Sequence, residues 1–337
     1  MPRKTFRKVI TSFELINEIN SKNKSITEKF LKEKNTRCSD KTVSSYKSDL
    51  DIFFVWNLIN NENKFFVDIK KIDVLDFFSY CTNDLKWGSA RFNRMRSCLS
   101  SLAQFIEKFF DSEYPLYKNV ILKAIDGMPK NEAREKTILS EEQISSLFDF
   151  LIEKEEFQDA CLLALAISSG ARLSELLRFT IDAIDENNVV FNGLFLETTK
   201  KIKTKGRTKQ GKMMNKYIVK NMFLSHYKKW LLIREEIMKK NGVEHNFIFI
   251  NGNGTVAKEQ NIRSWIKKWE TFLQVPFYMH SLRHYIVTHL TRLGLSADFI
   301  IEIMGWTSSE MYKIYNDLSA KDREWKELIN LEEHLRK

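Results

Sequence analysis

Four prolines and eleven glycines are all that interrupt 337 residues, and this scarcity constrains the fold more than any other feature of the chain. Proline breaks a helix from inside, and glycine weakens one by about 1 kcal/mol relative to alanine. A chain poor in both and rich in Leu, Ile, Lys and Glu favours helices with short connections. The apolar spacing agrees. In TVSSYKSDLDIFFVWNLI, Val43, Tyr46, Leu50, Phe53, Phe54 and Leu58 recur at three- and four-residue steps, which places them on one face of a helix. Asp73–Leu85 and Ser89–Phe110 repeat the pattern, the second opening on Ser89 as an N-cap. Asp159–Gly170, DACLLALAISSG, is nearly all apolar and belongs inside a core.

Domains usually hold roughly 100–200 residues, so two are expected here, and the 43% of hydrophobic residues suffices for two cores. Residues 1–25 are basic and polar, an arm or short first helix. Residues 26–127 read as an all-helical domain. The polar, charged stretch 128–137 reads as a linker. Residues 138–337 form the second domain, opened by Ser140 and Gln143 in capping-box spacing. Between 188 and 219 the texture changes to strands about a turn, KGRTKQG. From Thr198 to Lys220 there are nine Lys or Arg and no acid. Such a basic hairpin, with Lys203, Arg207, Lys209 and Lys212, is able to lie on a phosphate backbone; a solvated hairpin tip is the competing reading. Arg91 and Arg94 on the Ser89–Phe110 helix offer a second basic face. Trp230, Trp265 and Trp269 stand at the spacing of core aromatics. The fold class is therefore mainly α, with a small antiparallel sheet in the second domain.

The net charge of +10 points to a polyanionic partner, because Lys and Arg contacts release counterions from phosphates. Cys38, Cys81, Cys98 and Cys161 form no CxxC pair and read as small buried hydrophobes in a reducing compartment. The N-terminus carries no apolar leader, and no apolar run reaches the roughly 18 residues of a membrane span. A cytoplasmic protein with no membrane partner is expected.

Three segments carry candidate chemistry. SSGARLSEL places Arg172 just after a buried helix and a glycine. MHSLRHYIVTHL places His280 and Arg283 three apart, on one helical face. IMGWTSSEMYKIYND places Trp306 and Tyr315 nine apart after a glycine turn. Phosphodiester transfer without a metal needs two cations on the non-bridging oxygens, and arginine's planar fork suits that. It also needs a nucleophile, a base and a general acid for the leaving 5′ oxygen. These segments and the basic hairpin supply Arg, His, Arg, Tyr and Lys.

This ordered set resembles the tyrosine recombinase/integrase family, which includes the Xer, Cre and phage lambda-type integrases. The motifs GAR-x-S-E-L, a Lys-bearing hairpin, H-x-L-R-H and G-W with Tyr nine further on span about 150 residues of the second domain. The first domain resembles the family's helical, SAM-like core-binding domain in size, helicity and position. The resemblance implies that Tyr315 is the nucleophile and that Arg172 and Arg283 clamp the scissile phosphate. It implies His280 as general base or phosphate ligand and Glu175 as a structural carboxylate; His284, read from its place on the helix alone, supports the helix or the cleft near Arg283. Trp306 stands where most members have His; its indole N–H still donates to a phosphate oxygen. Lys205 best fits the general acid, with Lys203 the runner-up and Lys200 a third choice. Double-stranded DNA is the implied partner, four subunits act on two sites, and no cofactor or metal is required. The last helix, with Leu328, Leu331 and Leu335, is expected to dock on a neighbouring subunit.

Other readings stay open. Tyr312 competes with Tyr315 as nucleophile, although the spacing from Trp306 favours Tyr315. His280 and His284 are i, i+4, but without HExxH order or a Cys cluster no metal site is expected. A type IB topoisomerase uses similar chemistry, and a DNA-binding regulator with a decayed site would keep the fold without the reaction.

Overall fold

The computed structural model describes residues 11–129, 137–204, 206 and 211–316, and these divide into two compact units, the first holding residues 11–129 and the second residues 137–204 and 211–316. The first unit is all helical: α1 (Phe13–Glu18), α2 (Ser21–Arg37), α3 (Asp40–Asn60), α4 (Lys71–Asn83), α5 (Ser89–Phe109) and the single turn α6 (Ile121–Ala124). The stretch expected as an arm or a short first helix carries the short helix α1 from Phe13, and Ile19 just after it is buried in the unit's core. Around Phe53 of α3 that core is aromatic, with edge contacts to Phe54, Phe66 and Phe77. Edge-to-face pairs add about 0.5–1.5 kcal/mol beyond area burial. α3 is buried on nearly every side from Asp49 to Asn57, wider than the single stripe its spacing predicts. The expected cap at Ser89 is corrected: Gly88 is the N-cap, and Ser89 is the first residue of α5 and buried.

The second unit opens on α7 (Glu141–Glu153), where Ser140 and Gln143 form the anticipated capping box. Next comes α8 (Phe157–Ser169), whose residues from Asp159 to Ser169 are all buried. Burying each of its leucines contributes about 1.5–3 kcal/mol, which makes α8 the axis of the core. The turn α9 (Leu173–Leu176) follows. Then come β1 (Val189–Val190), β2 (Phe195–Glu197), β3 (Ile202–Thr204), β4 (Lys212–Met214) and β5 (Tyr217–Val219). The expected single hairpin is two antiparallel sheets, β1-β2-β5 and β3-β4, the latter with Lys203 opposite Met213 and Thr204 opposite Lys212. The unit closes with α10 (Lys220–Asn241), α11 (Glu259–Leu273), α12 (Met279–Arg292), α13 (Ala297–Met304) and α14 (Ser309–Tyr315). Trp230 and Trp269 are core residues as expected, and Trp265 is half-buried against the core. Among the described residues no helix is long and apolar enough to cross a membrane. Cys81, Cys98 and Cys161 are buried, Cys38 is partly so, and all four are free thiols.

Candidate active site

α8 ends at Gly170, which adopts the left-handed conformation (φ 57°) that terminates the helix. A Cβ there would lie 2.5 Å from Met304 Cε, so the tight turn also depends on the missing side chain. The turn delivers Arg172 as the N-cap of α9, where its own backbone N–H donates to Glu175 Oε2 at 3.2 Å and its Nη1 donates to Glu175 Oε1 at 2.9 Å. Glu175 is fully buried, and its other partner is Lys216 Nζ at 2.9 Å. Lys216 is itself 2% exposed, held just before β5 by reciprocal backbone and side-chain bonds to Thr198. Burial alone pushes Glu175 up, but Lys216 and Arg172 outweigh it and bring the carboxyl down to about 2. Burial pushes Lys216 the other way, downward, against the pull of Glu175, and Arg283 and Arg172 add to the lowering. Removing one partner from such a buried pair typically costs roughly 3–5 kcal/mol.

α12 packs against α8 and presents His280, Arg283 and His284 on one face. Arg283 is 1% exposed, and its Nη1 donates to the carbonyl of Gly170. Burial first and Arg172 second lower it to about 10, so it stays charged at neutral pH. Among the described residues its Nε and Nη2 have no hydrogen-bond partner, nor has the buried Nε1 of Trp306. An unpaired buried donor costs about 1–3 kcal/mol, more when charged, so two on one guanidinium and a third beside it mark a place built for an acceptor that the described residues do not supply. Arg172 and Lys216 bond to Glu175 while Arg283 feels its charge only at a distance, so among the described residues one carboxylate faces three cations and positive charge is in excess where that acceptor would sit. His280 keeps an exposed edge, but the surrounding protein desolvates its ring, and that desolvation, with Arg283 and Arg172 after it, shifts the imidazole downward, toward the neutral form.

α13 ends at Gly305 (φ 66°), whose missing Cβ makes room for Met214 of β4, and the chain then places Trp306. Tyr315, the last residue of α14, is 6% exposed. Its ring stacks on Trp306 (centroids 5.3 Å, 19°), lies 4.7 Å from the ring of His284 and 6.4 Å from that of His280, and sits 5.2 Å from the Arg283 guanidinium. Arg283 lies at the same 5.2 Å from Trp306. Tyr312 points elsewhere: its hydroxyl bonds Thr291 Oγ1 at 3.1 Å and accepts from Asn316 at 3.1 Å. His289 is also apart, with Nδ1 3.0 Å from Glu141 Oε1. Among the described residues no group of three or more His, Cys, Asp and Glu is placed to hold a metal ion.

The structure thus gathers Arg283, His280, His284, Trp306 and Tyr315 directly, with Arg172 and Glu175 joined to them through the Gly170 turn. The hairpin residues are more dispersed. Lys205, Arg207 and Lys209 lie outside the described residues, as do Leu328, Leu331 and Leu335. Lys203 and Lys212 are exposed on β3 and β4. The main-chain carbonyl of Lys203 accepts from Arg178 at 2.7 Å, and Lys200 pairs with Asp182. In the first unit, Arg91 and Arg94 both bind the buried Asp49, Arg94 through Nε at 3.0 Å and Nη2 at 2.7 Å, and Arg91 also covers the ring of Trp87. One of their two charges is therefore spent internally. Sequence reasoning passed over Lys216, although the two-residue step to the fully buried Ile218 of β5 turns both toward the inner side of the sheet.

This architecture is that of known site-specific recombinases and integrases. It matches XerH site-specific recombinase bound to palindromic difH substrate (TM-score 0.63, 20% identity, 90% of this chain and 84% of the other). It also matches the Tn1549 transposon integrase in complex with transposon right end DNA (TM-score 0.63, 14% identity, 92% and 99%). Residues 137–322 match the model of the phage integrase family, and the chain belongs to that family. Its relatives include tyrosine recombinase XerC of Thermodesulfovibrio yellowstonii, 24% identical over 292 residues (84% of this chain, 87% of the relative). Tyrosine recombinase XerD of Oceanobacillus iheyensis is 22% identical over 286 residues (83% and 89%).

Proposed function

We propose that this chain is a site-specific DNA recombinase that cuts and rejoins strands through a 3′-phosphotyrosyl link at Tyr315. The observation that carries this reading is the set of buried, unpartnered donors on Arg283 and Trp306 packed against the Tyr315 ring. They match the non-bridging oxygens of a phosphodiester, whose charge grows in the transition state. Arg172, held by Glu175, supplies the second fork. The Tyr315 oxygen attacks phosphorus, His280 accepts the phenolic proton, and the bond to the 5′ oxygen breaks as that oxygen takes a proton from a hairpin lysine. Lys205 is the lysine assigned, with Lys203 next; Lys200 is drawn away by Asp182. One phosphodiester replaces another, so the exchange is near isoenergetic and runs without ATP or a metal ion. The 5′ hydroxyl of the partner duplex then reverses the step and joins the strands.

Duplex DNA in the cytoplasm is the partner. The basic residues Lys203, Arg207, Lys209 and Lys212, with Arg91 and Arg94 of the first unit, contact its backbone, Asp49 fixing the last two on one face. Four subunits act on two sites, and the segment beyond Asp317 docks on a neighbour. The test is covalent trapping on nicked duplexes cut from the DNA that flanks the gene. The parent is expected to give an adduct stable to denaturant. Tyr315→Phe is expected to bind equally well and give none, whereas Tyr312→Phe keeps it. An adduct that survives in Tyr315→Phe overturns the assignment.

A further inference from the structure

We infer that Lys216 is a positioning residue for strand cleavage: through Glu175 it holds Arg172 in the orientation that receives the scissile phosphate. The inference rests on the strand-transfer reading above and extends it to a residue outside the reacting set.

The geometry is a relay of three side chains. Glu175 divides its two oxygens, Oε1 to Arg172 Nη1 and Oε2 to Lys216 Nζ, each at 2.9 Å. The side chain of Glu175 has no exposure, that of Lys216 3%, and that of Arg172 25%, so only the last of the three reaches toward solvent and substrate. Lys216 is too enclosed to touch DNA, and its ammonium is already committed. A buried ammonium that is costly to desolvate is retained here because it answers a buried carboxylate. That carboxylate also takes the backbone N–H of Arg172, so it fixes both ends of the arginine. Among the described residues, Arg283 and His280, both from α12, are the further charged or titratable groups that act on this centre. With Lys216 present, Glu175 is ionised across the whole working range. Without it, burial is opposed by Arg172 and by the more distant α12 groups alone, so Glu175 takes up a proton as pH falls and releases Arg172.

The experiment compares adduct formation on the trapping substrate by the parent and by Lys216→Met, as a ratio, at about pH 5.5 and about pH 8.5. Taking the ratio removes titrations common to both proteins, His280 included. Duplex binding by mobility shift serves as the fold control. Lys216→Met is expected to bind within about twofold of the parent, to cleave about tenfold more slowly at the higher pH, and to fall behind by a further tenfold or so at the lower. The double variant Lys216→Met with Glu175→Gln, which leaves no buried carboxylate to titrate, is expected to be slow with no pH dependence in the ratio. A constant ratio in Lys216→Met would mean a merely structural role and overturns the inference. If the single variant does not fold, the double variant decides alone, since parental cleavage by it overturns the inference as well. A parent protein that gives no adduct overturns the strand-transfer reading, and this extension with it. Parental cleavage by the variants overturns only the role of Lys216.

Discussion

At the scale of single residues, one face of α12 and one glycine shape the candidate site. His280, Arg283 and His284 fall on one helical face by the three- and four-residue rule, and the structure turns that face to Tyr315. Gly170 is different. In the sequence it is only a glycine after a buried helix, and packing shows that it turns the chain, receives Arg283 on its carbonyl and holds Met304 against its α-carbon. Gly170→Ala must hold a left-handed backbone and push Met304 aside, two separate penalties. It is expected to lower stability by about 2–4 kcal/mol, read as a shift of the urea midpoint at unchanged slope. A shift within experimental error would mean that the turn relaxes freely.

At the scale of elements, helices were far more legible than strands. α7 begins where its capping box says, because both partners lie within three residues. The strands of the basic hairpin are two or three residues long, too short for a period to register, and their division into two sheets follows from pairing across the fold. The charges on α5 read as a basic face, but Asp49 arrives from α3 to bind two of them, a contact that no pattern within α5 announces. α8 makes a related point at its first turn. Asp159 is buried there, and burial, with Glu156 second, raises its carboxyl to about 7. Its folded value lies above its unfolded one, so the folded chain binds the proton more tightly. Stability contributed by the protonated form is therefore lost as pH rises from about 4 through about 7. Trp269 donates to Asp159 at 3.3 Å, a bond that an amide oxygen also accepts. Asp159→Asn is expected to be more stable than the parent by about 1–3 kcal/mol near pH 8.5 and equal to it near pH 4. Denaturant titrations at the two pH values measure this, and equal stabilities throughout would show that the carboxylate is better solvated than its burial implies.

At the scale of the whole molecule, the net charge of +10 is a property that no single residue carries. If it serves duplex binding through several phosphate contacts, affinity measured by fluorescence anisotropy should drop roughly a thousandfold or more between about 50 and 200 mM salt. A salt-independent affinity would argue that the charge has another use. Composition and periodicity were sufficient, unaided, to set a mainly helical chain with a basic strand region, because those properties depend on neighbours within a turn or two; the buried residues of the second unit then divide into two clusters, a partition that only packing makes. Which cation meets which carboxylate was decided only on folding. Lys216 lies 41 residues from Glu175, and Arg283 lies 113 from the carbonyl it binds, separations at which sequence spacing carries no geometric information. Burial then sets the energetics, since the same lysine in water would be one more surface charge, whereas beneath Arg172 it fixes the ionisation of the group that holds the arginine in place.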